Sequence, residues 1–494
     1  MTTRFALRVL TRFCTPFALA VLLCHSAGVT GLAADAQKPN IVFILADDLG
    51  LGDLGCYGQT KIRTPNIDRL AAEGMKFTQH YSGSCVCAPS RCTFMTGLHT
   101  GHAFVRANKE NGKGYSGAEG QLAIPHDSVT VAKLLKAQGY ATGAMGKWGL
   151  GGPASEGHPN EQGFDLFFGY LCQRKAHTYY PDYLWRNSQI VELPGNQTII
   201  QDGNKLIQMK AKQYSPDLMT AEAEKFLREN AGGPFFLYLP YTIPHVALQV
   251  PKDSLDEYAG KFPETPYDGS KGYQPQAQPH AAYAAMVTRL DTYVGRVMAL
   301  LKELQVDERT VVFFSSDNGA IQDAGSDPDY FHSTGPFRGY KTQLYEGGIR
   351  APFIARWPGK IKAGSTNTHV SAFWDLLPTF VELAGGKAPA GLDGISFVPA
   401  LLGKGEQKRH EFLFWEYHER GGSQAIRLGD WKAIRLGIMN RADSPIELYD
   451  LAHDIAEKEN VAATHPDIVA KMATMFVRER TPAKNFPTPL DKLK

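Results

Sequence analysis

The stretch that decides the fold reads Ile41-Val42-Phe43-Ile44-Leu45-Ala46-Asp47-Asp48. Six consecutive apolar residues end abruptly in two carboxylates, a pattern typical of a strand that is buried on both faces of a sheet. Residues 235–239 form a second such run, which leads to His245. Residues 311–314 form a third, which leads to Asp317 and Asn318. Because ligands bind at the carboxyl ends of strands in open α/β sheets, the three endings predict a single site.

Apolar runs of this kind alternate with helical patterns along most of the chain. This alternation predicts an α/β fold with a large mixed, mainly parallel sheet sandwiched by helices. Apolar residues recur every three or four positions from Tyr283 to Leu304, which indicates a long amphipathic helix packed on the sheet. Three short strand patterns and a helical one follow later, at residues 412–417, 425–428, 431–436 and 466–480. They predict a smaller C-terminal α+β subdomain.

The first 34 residues have the features of a secretory signal peptide. Three arginines precede an apolar run at residues 17–23, and small residues follow as far as Ala34. An uncleaved anchor is the alternative, although the run is shorter than the roughly 20 residues that span a bilayer. No later stretch approaches that length, so we expect a periplasmic or secreted protein without a membrane span. The predicted segments are a signal peptide at 1–34, a catalytic domain at 35–386 and a C-terminal subdomain at 387–494.

The composition indicates a large globular chain without a nucleic-acid partner. Among 494 residues, 52 basic side chains nearly balance 50 acidic ones, whereas a nucleic-acid binder carries a basic excess. Beyond the predicted signal peptide there are five cysteines, an odd number that needs an explanation in an exported protein. Cys85, Cys87 and Cys92 lie close together, but no second cluster at zinc-binding spacing accompanies them.

The adjacent carboxylates of Asp47 and Asp48 repel each other unless a cation or a shared proton compensates their charge. Asp317 and Asn318, at the end of another predicted strand, would add oxygen ligands at the same edge. An all-oxygen set of this kind suits the hard cations Ca²⁺ and Mg²⁺. Either pair alone, Asp47-Asp48 or Asp317-Asn318, is weak support for a metal site. Asp-Asn-Gly, for example, is also a common turn sequence.

The most specific stretch is Cys87-Ala88-Pro89-Ser90-Arg91, which resembles the signature of the type I sulfatases. In that family the cysteine of Cys-x-Pro-Ser-Arg is oxidised after synthesis to formylglycine, whose hydrated aldehyde is the nucleophile. The spacing selects Cys87 rather than Cys85, because only Cys87 has a proline two residues later and an arginine four residues later. Conversion of Cys87 would also explain the odd number of cysteines.

The resemblance extends over nearly the whole mature chain, in the order that the family keeps. Its other motifs are the metal-ligand pair Asp47-Asp48, the lysine motif Gly146-Lys147-Trp148, the histidine of Ile243-Pro244-His245, the second metal pair Asp317-Asn318, and a second lysine motif formed by Lys341 and residues 346–350. The chain is thus identified as a member of the type I sulfatases, which belong to the alkaline phosphatase superfamily. The fold of that superfamily agrees with the strand pattern.

The resemblance implies a role for each of these side chains. The metal ligands would be Asp47, Asp48, Asp317, Asn318 and the modified Cys87. The family uses Ca²⁺, although Mg²⁺ accepts the same oxygen ligands. Lys147 and Lys341 would polarise the sulfate oxygens, and Arg91 would hold the nucleophile through its fork of donors. A protonated His245 would donate a proton to the departing oxygen.

One position departs from the family pattern. The lysine motif commonly reads Gly-Lys-Trp-His-Leu-Gly, whereas this chain has Gly149 in place of the histidine. The family assigns that histidine to deprotonating the hydrated aldehyde when sulfate leaves. His177 lies in a polar and aromatic stretch, and we expect it to contact the substrate or to take part of this role. A loop histidine without a function is the alternative.

These motifs predict a sulfuric ester hydrolase that acts on a sulfate monoester of a sulfated carbohydrate. Formylglycine-generating machinery would be a partner during maturation. Two alternatives stay open at this point. The first is a phosphate or phosphonate ester hydrolase, because some members of the same superfamily use a similar site. The second is a catalytically silent protein that binds sulfated glycans, which the missing histidine at Gly149 slightly favours.

Overall fold

The protein is described by a computed structural model that covers residues 38–110, 119–201 and 205–493. The predicted signal peptide at 1–34 lies outside the described residues. Among the residues that are described, no helix has the length and apolar character needed to cross a membrane. From Lys38 onward, the chain forms one compact unit.

Strands and helices alternate through the first two thirds of the described chain, as the sequence pattern predicts. The strands are β1 (Asn40–Ala46), β2 (Met75–Phe77), β3 (His80–Tyr81), β4 (Ala141–Lys147), β5 (Leu166–Tyr170), β6 (Tyr183–Arg186), β7 (Gln189–Glu192), β8 (Gln197–Gln201), β9 (Lys205–Lys210), β10 (Phe235–Pro240), β11 (Thr310–Ser316), β12 (Phe353–Arg356), β13 (Ser365–Asn367), β14 (Ser371–Ala372), β15 (Leu413–Tyr417), β16 (Ser423–Leu428), β17 (Trp431–Leu436) and β18 (Ile446–Asp450). The helices are α1 (Pro65–Ala72), α2 (Cys87–Thr96), α3 (Val131–Ala137), α4 (Ser215–Asn230), α5 (Lys252–Asp256), α6 (Pro279–Glu303), α7 (Pro328–Phe331), α8 (Glu346–Ile349), α9 (Leu376–Leu383), α10 (Val398–Leu402) and α11 (Pro466–Arg478).

Ten strands form the large sheet, in the order β13-β2-β12-β11-β1-β10-β4-β5-β6-β7. Its central strands β11, β1, β10, β4 and β5 all run parallel. Antiparallel pairs extend the sheet on both sides, through β12 next to β11 and through β6 next to β5. The sheet is therefore mixed but parallel at its centre, which confirms the predicted fold class.

Strand β1 is buried along its whole length, because both faces of the sheet are covered. Val42 and Ile44 belong to the apolar cluster on one face, whereas Ile41, Phe43 and Leu45 belong to the cluster on the other. Helix α6, which confirms the helix predicted from residues 283–304, packs into the first of these clusters. The continuous apolar run of β1 thus follows from burial on two sides.

The register of the central strands brings their polar ends together. Ala46 lies opposite Ser316 of β11, so that Asp47 and Asp317 follow at the same edge. The backbone N–H of Asp317 donates to the carbonyl of Ala46 at 3.1 Å, which continues the ladder to the last residue before the carboxylate. On the other side, the N–H of Asp47 donates to the carbonyl of Ile243 at 3.2 Å. The sheet therefore fixes the relative positions of the three predicted site segments.

A four-stranded antiparallel sheet, β15-β16-β17-β18, forms the C-terminal region together with α11. Three of these strands and the helix were predicted from the sequence pattern, although α11 ends at Arg478 rather than at residue 480. Strand β18 was not predicted, because its sequence Ile446-Glu447-Leu448-Tyr449-Asp450 alternates polar and apolar residues over only five positions. The domain boundary at residues 386 and 387 stays a prediction.

Candidate active site

Cys87 is the first residue of α2 and lies at the bottom of a cavity at the carboxyl edge of the sheet. Its Sγ is 3.3 Å from Oδ1 of Asp47 and 3.5 Å from Nζ of Lys341. Burial and the charge of Asp47 raise the pKa of the Cys87 thiol, so the unmodified side chain is a neutral thiol. A neutral thiol is a poor nucleophile, and Cys87 in this form offers little reactivity of its own.

Arg91 lies one helical turn after Cys87 and ties α2 to the sheet edge. Its Nε and Nη2 donate to Oδ2 of Asp317 at 3.1 and 2.8 Å, and its Nη1 donates to the carbonyl of Lys147 at 2.6 Å. The side chain is almost completely buried. Through this fork of donors, Arg91 fixes the direction of the helix that carries Cys87.

Two lysines approach the carboxylates, one from the end of strand β4 and the other from the loop before α8. Nζ of Lys147, at the end of β4, is 2.7 Å from Oδ2 of Asp47. Nζ of Lys341 is 2.8 Å from the carboxylate of Asp48. Burial alone would lower the pKa of Lys341, but the neighbouring acidic groups, Asp48 first among them, together outweigh it and raise the pKa well above its usual value. Both ammonium groups therefore stay protonated beside Cys87.

The carboxylates and the neighbouring amide fit a divalent cation. Asp47, Asp48 and Asp317 are at most 1% exposed. Burial, and then the charge of Asp47, raises the pKa of Asp317 to about 6, and burial likewise raises the pKa of Asp48. Oδ1 of Asn318 is buried without a hydrogen-bond partner among the described residues, while its Nδ2 donates to Asp48 at 2.7 Å. Crowded carboxylates and an unpaired amide oxygen are the donor set that Ca²⁺ or Mg²⁺ requires.

His245 follows β10 and faces the same carboxylates. Its Nδ1–H donates to the carbonyl of Val246, so Nε2 is the nitrogen that points into the site, 3.5 Å from Oδ2 of Asp48. Ligand atoms of Asp47, Asp48, Cys87 and His245 all lie within 4.8 Å of one another. Burial, followed by the charge of Lys341, lowers the pKa of His245 well below its usual value. The imidazole is therefore neutral before a substrate binds.

His177 lies over His245 on the open side of the cavity. The two imidazole rings stack with 5.1 Å between centroids and an angle of 17°. The ring of Tyr273 lies 5.1 Å from His177 on another side. The structure thus brings the predicted His177 into the cavity together with Cys87, Lys147, Lys341 and His245.

Gln173 lies next to Gly149, the position at which the family motif commonly has a histidine. Gly149 has φ +82°, in the left-handed region, and a Cβ atom there would lie 2.9 Å from the side chain of Gln173. Gln173 therefore fills the space that a longer side chain at position 149 would need. Its Nε2 donates to Oδ1 of Asn108 at 3.1 Å, and this oxygen also accepts the N–H of Ala88, next to Cys87. Sequence reasoning missed Gln173, because nothing in its own stretch links it to position 149.

The cavity above Cys87 has a volume of about 370 Å³ and polar walls. Its lining side chains are Cys87, Asn108, Glu110, Gln121, Lys147, Gln173, Arg174, His177, His245, Tyr273, Ile321, Gln322, Asp323, Tyr340, Lys341, Thr342, Gln343, Glu419 and Arg420. The last two belong to the turn between β15 and β16, so the C-terminal region completes the wall. Sequence reasoning did not assign this turn to the site.

A second cluster of metal-ligand types, formed by His99, His102 and Asp393, does not suit a metal. Nδ1 of His99 accepts the N–H of Gly101 at 3.1 Å, so the proton of the neutral ring is on Nε2. That N–H faces Asp393, and it leaves His99 without a free nitrogen lone pair. The cluster is a set of hydrogen bonds that fastens the chain after α2 to the segment around Asp393.

A mixed sheet whose parallel centre carries buried carboxylates at its carboxyl edge, with two lysines and a helix-borne cysteine beside them, defines a hydrolase of the alkaline phosphatase class. The sulfatase family model matches residues 39–386, and the chain belongs to the sulfatase family. The model described as N-sulphoglucosamine sulphohydrolase, C-terminal, matches residues 337–481. These matches confirm the family and the sulfuric ester hydrolase that the motifs predict. The family implies a formylglycine and a divalent metal.

Relatives with sulfatase names cover most of the chain. Steryl-sulfatase from Homo sapiens is 33% identical over 442 residues, which are 77% of this chain and 72% of that protein. N-acetylgalactosamine-6-sulfatase from Canis lupus familiaris is 33% identical over 482 residues, which are 94% and 85% of the two chains. The protein is also similar to the crystal structure of Ps i-CgsB in complex with k-i-k-neocarrahexaose, with a TM-score of 0.72 and 29% identity. The match covers 90% of this chain and 92% of that chain.

Proposed function

We propose that the protein hydrolyses a sulfate monoester on a sulfated carbohydrate, with a formylglycine at position 87 as the nucleophile. The observation that carries the proposal is the position of Cys87, whose Sγ lies between Asp47 and the ammonium group of Lys341 at the bottom of a polar cavity. When formed, the hydrated aldehyde supplies one hydroxyl for attack on sulfur and a second for release of sulfate. An ordinary serine or thiol lacks the second hydroxyl.

Asp47, Asp48, Asp317 and Asn318 would hold the divalent metal, together with the modified Cys87. The unpaired Oδ1 of Asn318 and the raised pKa of Asp317 support this set. Ca²⁺ is our proposal for the ion, although the oxygen donors also suit Mg²⁺. When bound, the ion would balance the carboxylates and polarise a sulfate oxygen.

Lys147 and Lys341 are the residues that would bind the sulfate oxygens. Each ammonium group already lies within 2.8 Å of a carboxylate, so both are held in place before the substrate arrives. Preorganised positive charge of this kind stabilises the charge that develops as the S–O bond breaks. Arg91 acts indirectly. It fixes helix α2 and thereby the position of residue 87.

His245 would donate a proton to the departing oxygen, and His177 would contact the substrate. Nε2 of His245 is the free ring nitrogen, and its low pKa in the empty cavity means that the proton has to be gained with the anionic substrate. His177 holds this ring from the cavity side. If His177→Ala left turnover of the true substrate unchanged, we would abandon the role of His177.

A carbohydrate is favoured as the carrier of the sulfate. The cavity is lined by amide, carboxylate and guanidinium groups, which suit a polyhydroxylated ring better than an apolar sterol. The names of two relatives, an N-acetylgalactosamine-6-sulfatase and a protein solved with a neocarrahexaose, support the same class. We propose a periplasmic or secreted location, in line with the signal peptide predicted at 1–34.

Two lysines beside one carboxylate cluster also favour sulfate over phosphate. A second metal ion would need a second set of oxygen or nitrogen donors, whereas the groups beside Asp47 and Asp48 are the ammonium groups of Lys147 and Lys341, which bind no metal while protonated. Cys87 and Lys147 both contact Asp47, so the catalytic groups are in place. This argues against a catalytically silent protein that only binds sulfated glycans.

The first experiment measures the modification and the turnover together. The protein is isolated from its native host, the peptide that contains Cys87 is analysed by mass spectrometry, and sulfate release is followed on a panel of sulfated glycans. We expect an aldehyde at position 87 and sulfate release from at least one glycan. Cys87→Ala should abolish both, whereas Cys85→Ala, a buried cysteine two residues away, should retain the aldehyde. An unmodified thiol in active protein would contradict the mechanism.

A further inference from the structure

The turn between β15 and β16 holds an arginine at the wall of the catalytic cavity. Arg420 has φ +52°, a left-handed conformation that is uncommon outside glycine and that is found preferentially at functional sites. The N–H of Gly422 donates to the carbonyl of Glu419 at 2.9 Å, which closes the turn. The carboxylate of Glu419 accepts the N–H of Asn108 at 2.7 Å, which fastens the turn to the other wall. Arg420 is therefore presented by a fixed backbone.

Among the described residues that line the cavity, the other lysine and arginine side chains already have carboxylate partners. Lys147 pairs with Asp47 at 2.7 Å and Lys341 with Asp48 at 2.8 Å. Arg174 pairs with Glu110 at 2.9 Å. For Arg420, in contrast, the described part of the chain offers no carboxylate within ion-pair distance, and its side chain is exposed. It is a guanidinium without a counter-ion at the entrance of a site for an anion.

The nearby acidic groups do not neutralise Arg420. Glu419 is directed to the backbone of Asn108, as described above. Asp323, on the opposite wall, pairs with Lys271 at 2.7 Å. The positive charge of Arg420 thus remains available to a ligand that enters the cavity.

We infer that Arg420 binds a second sulfate group of the substrate, next to the sulfate ester that is cleaved. The planar fork of the guanidinium matches two sulfate oxygens with two parallel hydrogen bonds. The substrate class is then a glycan with at least two sulfate groups within reach of one cavity. This inference rests on the proposed function for the first group and adds the second.

Binding is tested without turnover on the full mature chain with Cys87→Ala, by calorimetry with pairs of disaccharides that carry one or two sulfates on the same backbone. We expect the disulfated member of at least one pair to bind more tightly. Arg420→Gln should raise its Kd about tenfold and that of the monosulfated member by less than about twofold. Arg409→Gln, which removes an exposed arginine outside this cavity, should change neither value.

Two results would overturn the inference. One is a parent protein that binds each pair equally well. The other is an Arg420→Gln variant in which both members weaken by the same factor, or in which neither does. Turnover of the active enzyme is measured separately, so loss of sulfate release contradicts the proposed function, whereas loss of the disulfate preference contradicts only the role of Arg420. Arg420→Lys should recover part of the preference, because the charge remains while the fork is lost.

Discussion

At the scale of single residues, the contact between Gly149 and Gln173 distinguishes this cavity from the common family motif. We predict that Gly149→Ala destabilises the protein by about 1–3 kcal/mol, because the new Cβ meets Gln173 at 2.9 Å and the backbone has φ +82°. Gly139→Ala is a matched control, since Gly139 has φ +86° and a Cβ there would meet nothing within 4 Å.

Urea denaturation of both variants separates the two causes. The free energy of unfolding of the Gly139→Ala control should fall by only about 1 kcal/mol, which is the cost of a left-handed backbone for a residue with a Cβ atom. Equal losses in the two variants would show that Gln173 does not fill the space. Adding Gln173→Ala to Gly149→Ala should return part of the lost free energy of unfolding, because the two side chains are in contact.

The carboxylates predict how metal binding depends on pH. In the metal-free protein, burial and Asp47 raise the pKa of Asp317 to about 6, so this group holds a proton below that value. A metal ligand has to be deprotonated, and affinity for Ca²⁺ should therefore fall by about tenfold per pH unit as the pH is lowered below 6. Calorimetric titrations at pH 5, 6 and 7 measure this. Constant affinity across the three values, or unchanged affinity in Asp317→Asn, would contradict the assignment.

At the scale of secondary-structure elements, the sequence predicted those site residues whose positions depend on a single strand or helix. The apolar runs before Asp47, His245 and Asp317 specify buried parallel strands, and parallel strands bring their ends to one edge. The site residues that depend on contacts between distant loops were missed. Gln173 is recognisable only once β4 and β5 are paired, and Arg420 only once the C-terminal sheet is packed on the cavity. Pattern along one segment carries no information about such contacts.

Helix α8 is joined to the C-terminal sheet by a buried charge cluster. Nζ of Lys432, on β17, lies 2.8 Å from Glu346 and 2.9 Å from Glu457, and all three side chains are buried. We predict that Lys432→Met destabilises the protein by about 3–5 kcal/mol, because the buried Glu457 loses its cation and the buried Glu346 keeps only Arg350, at 2.8 Å. Lys302→Met, at a half-exposed lysine 3.9 Å from Glu73, should cost less than about 1 kcal/mol.

Thermal or urea unfolding measures this difference, and activity reports on the loop before α8. That loop carries Lys341, so kcat should fall in Lys432→Met even under conditions where the variant remains folded. A variant as stable as the control would show that the cluster contributes no net free energy. A destabilised variant with unchanged kcat would show that Lys341 is positioned independently of the C-terminal sheet.

At the scale of the whole molecule, the C-terminal region is part of the catalytic unit rather than an appendage. It supplies Arg420 to the cavity, and it supplies Glu416, whose buried carboxylate pairs with Arg106 at 2.9 Å and with Arg480 at 2.7 Å. Arg106 lies in the segment after α2. Ion pairs this deeply buried are costly to expose, so neither part of the chain is expected to be stable without the other.

We therefore predict that the chain can be cut between its two parts and still remain one active enzyme. Residues 385–391 have no helix or strand, and Gly385 and Gly391 are exposed, so a protease site inserted there should be accessible. After cleavage of the folded protein, the two pieces should elute together in size-exclusion chromatography and retain sulfate release. Residues 35–386 expressed alone should show no cooperative unfolding, because Glu416, the partner of Arg106, and Lys432, one of the two cations beside Glu346, are then absent. Pieces that separate under native conditions, or a stable fragment that ends at residue 386, would show that the predicted boundary divides two independent domains.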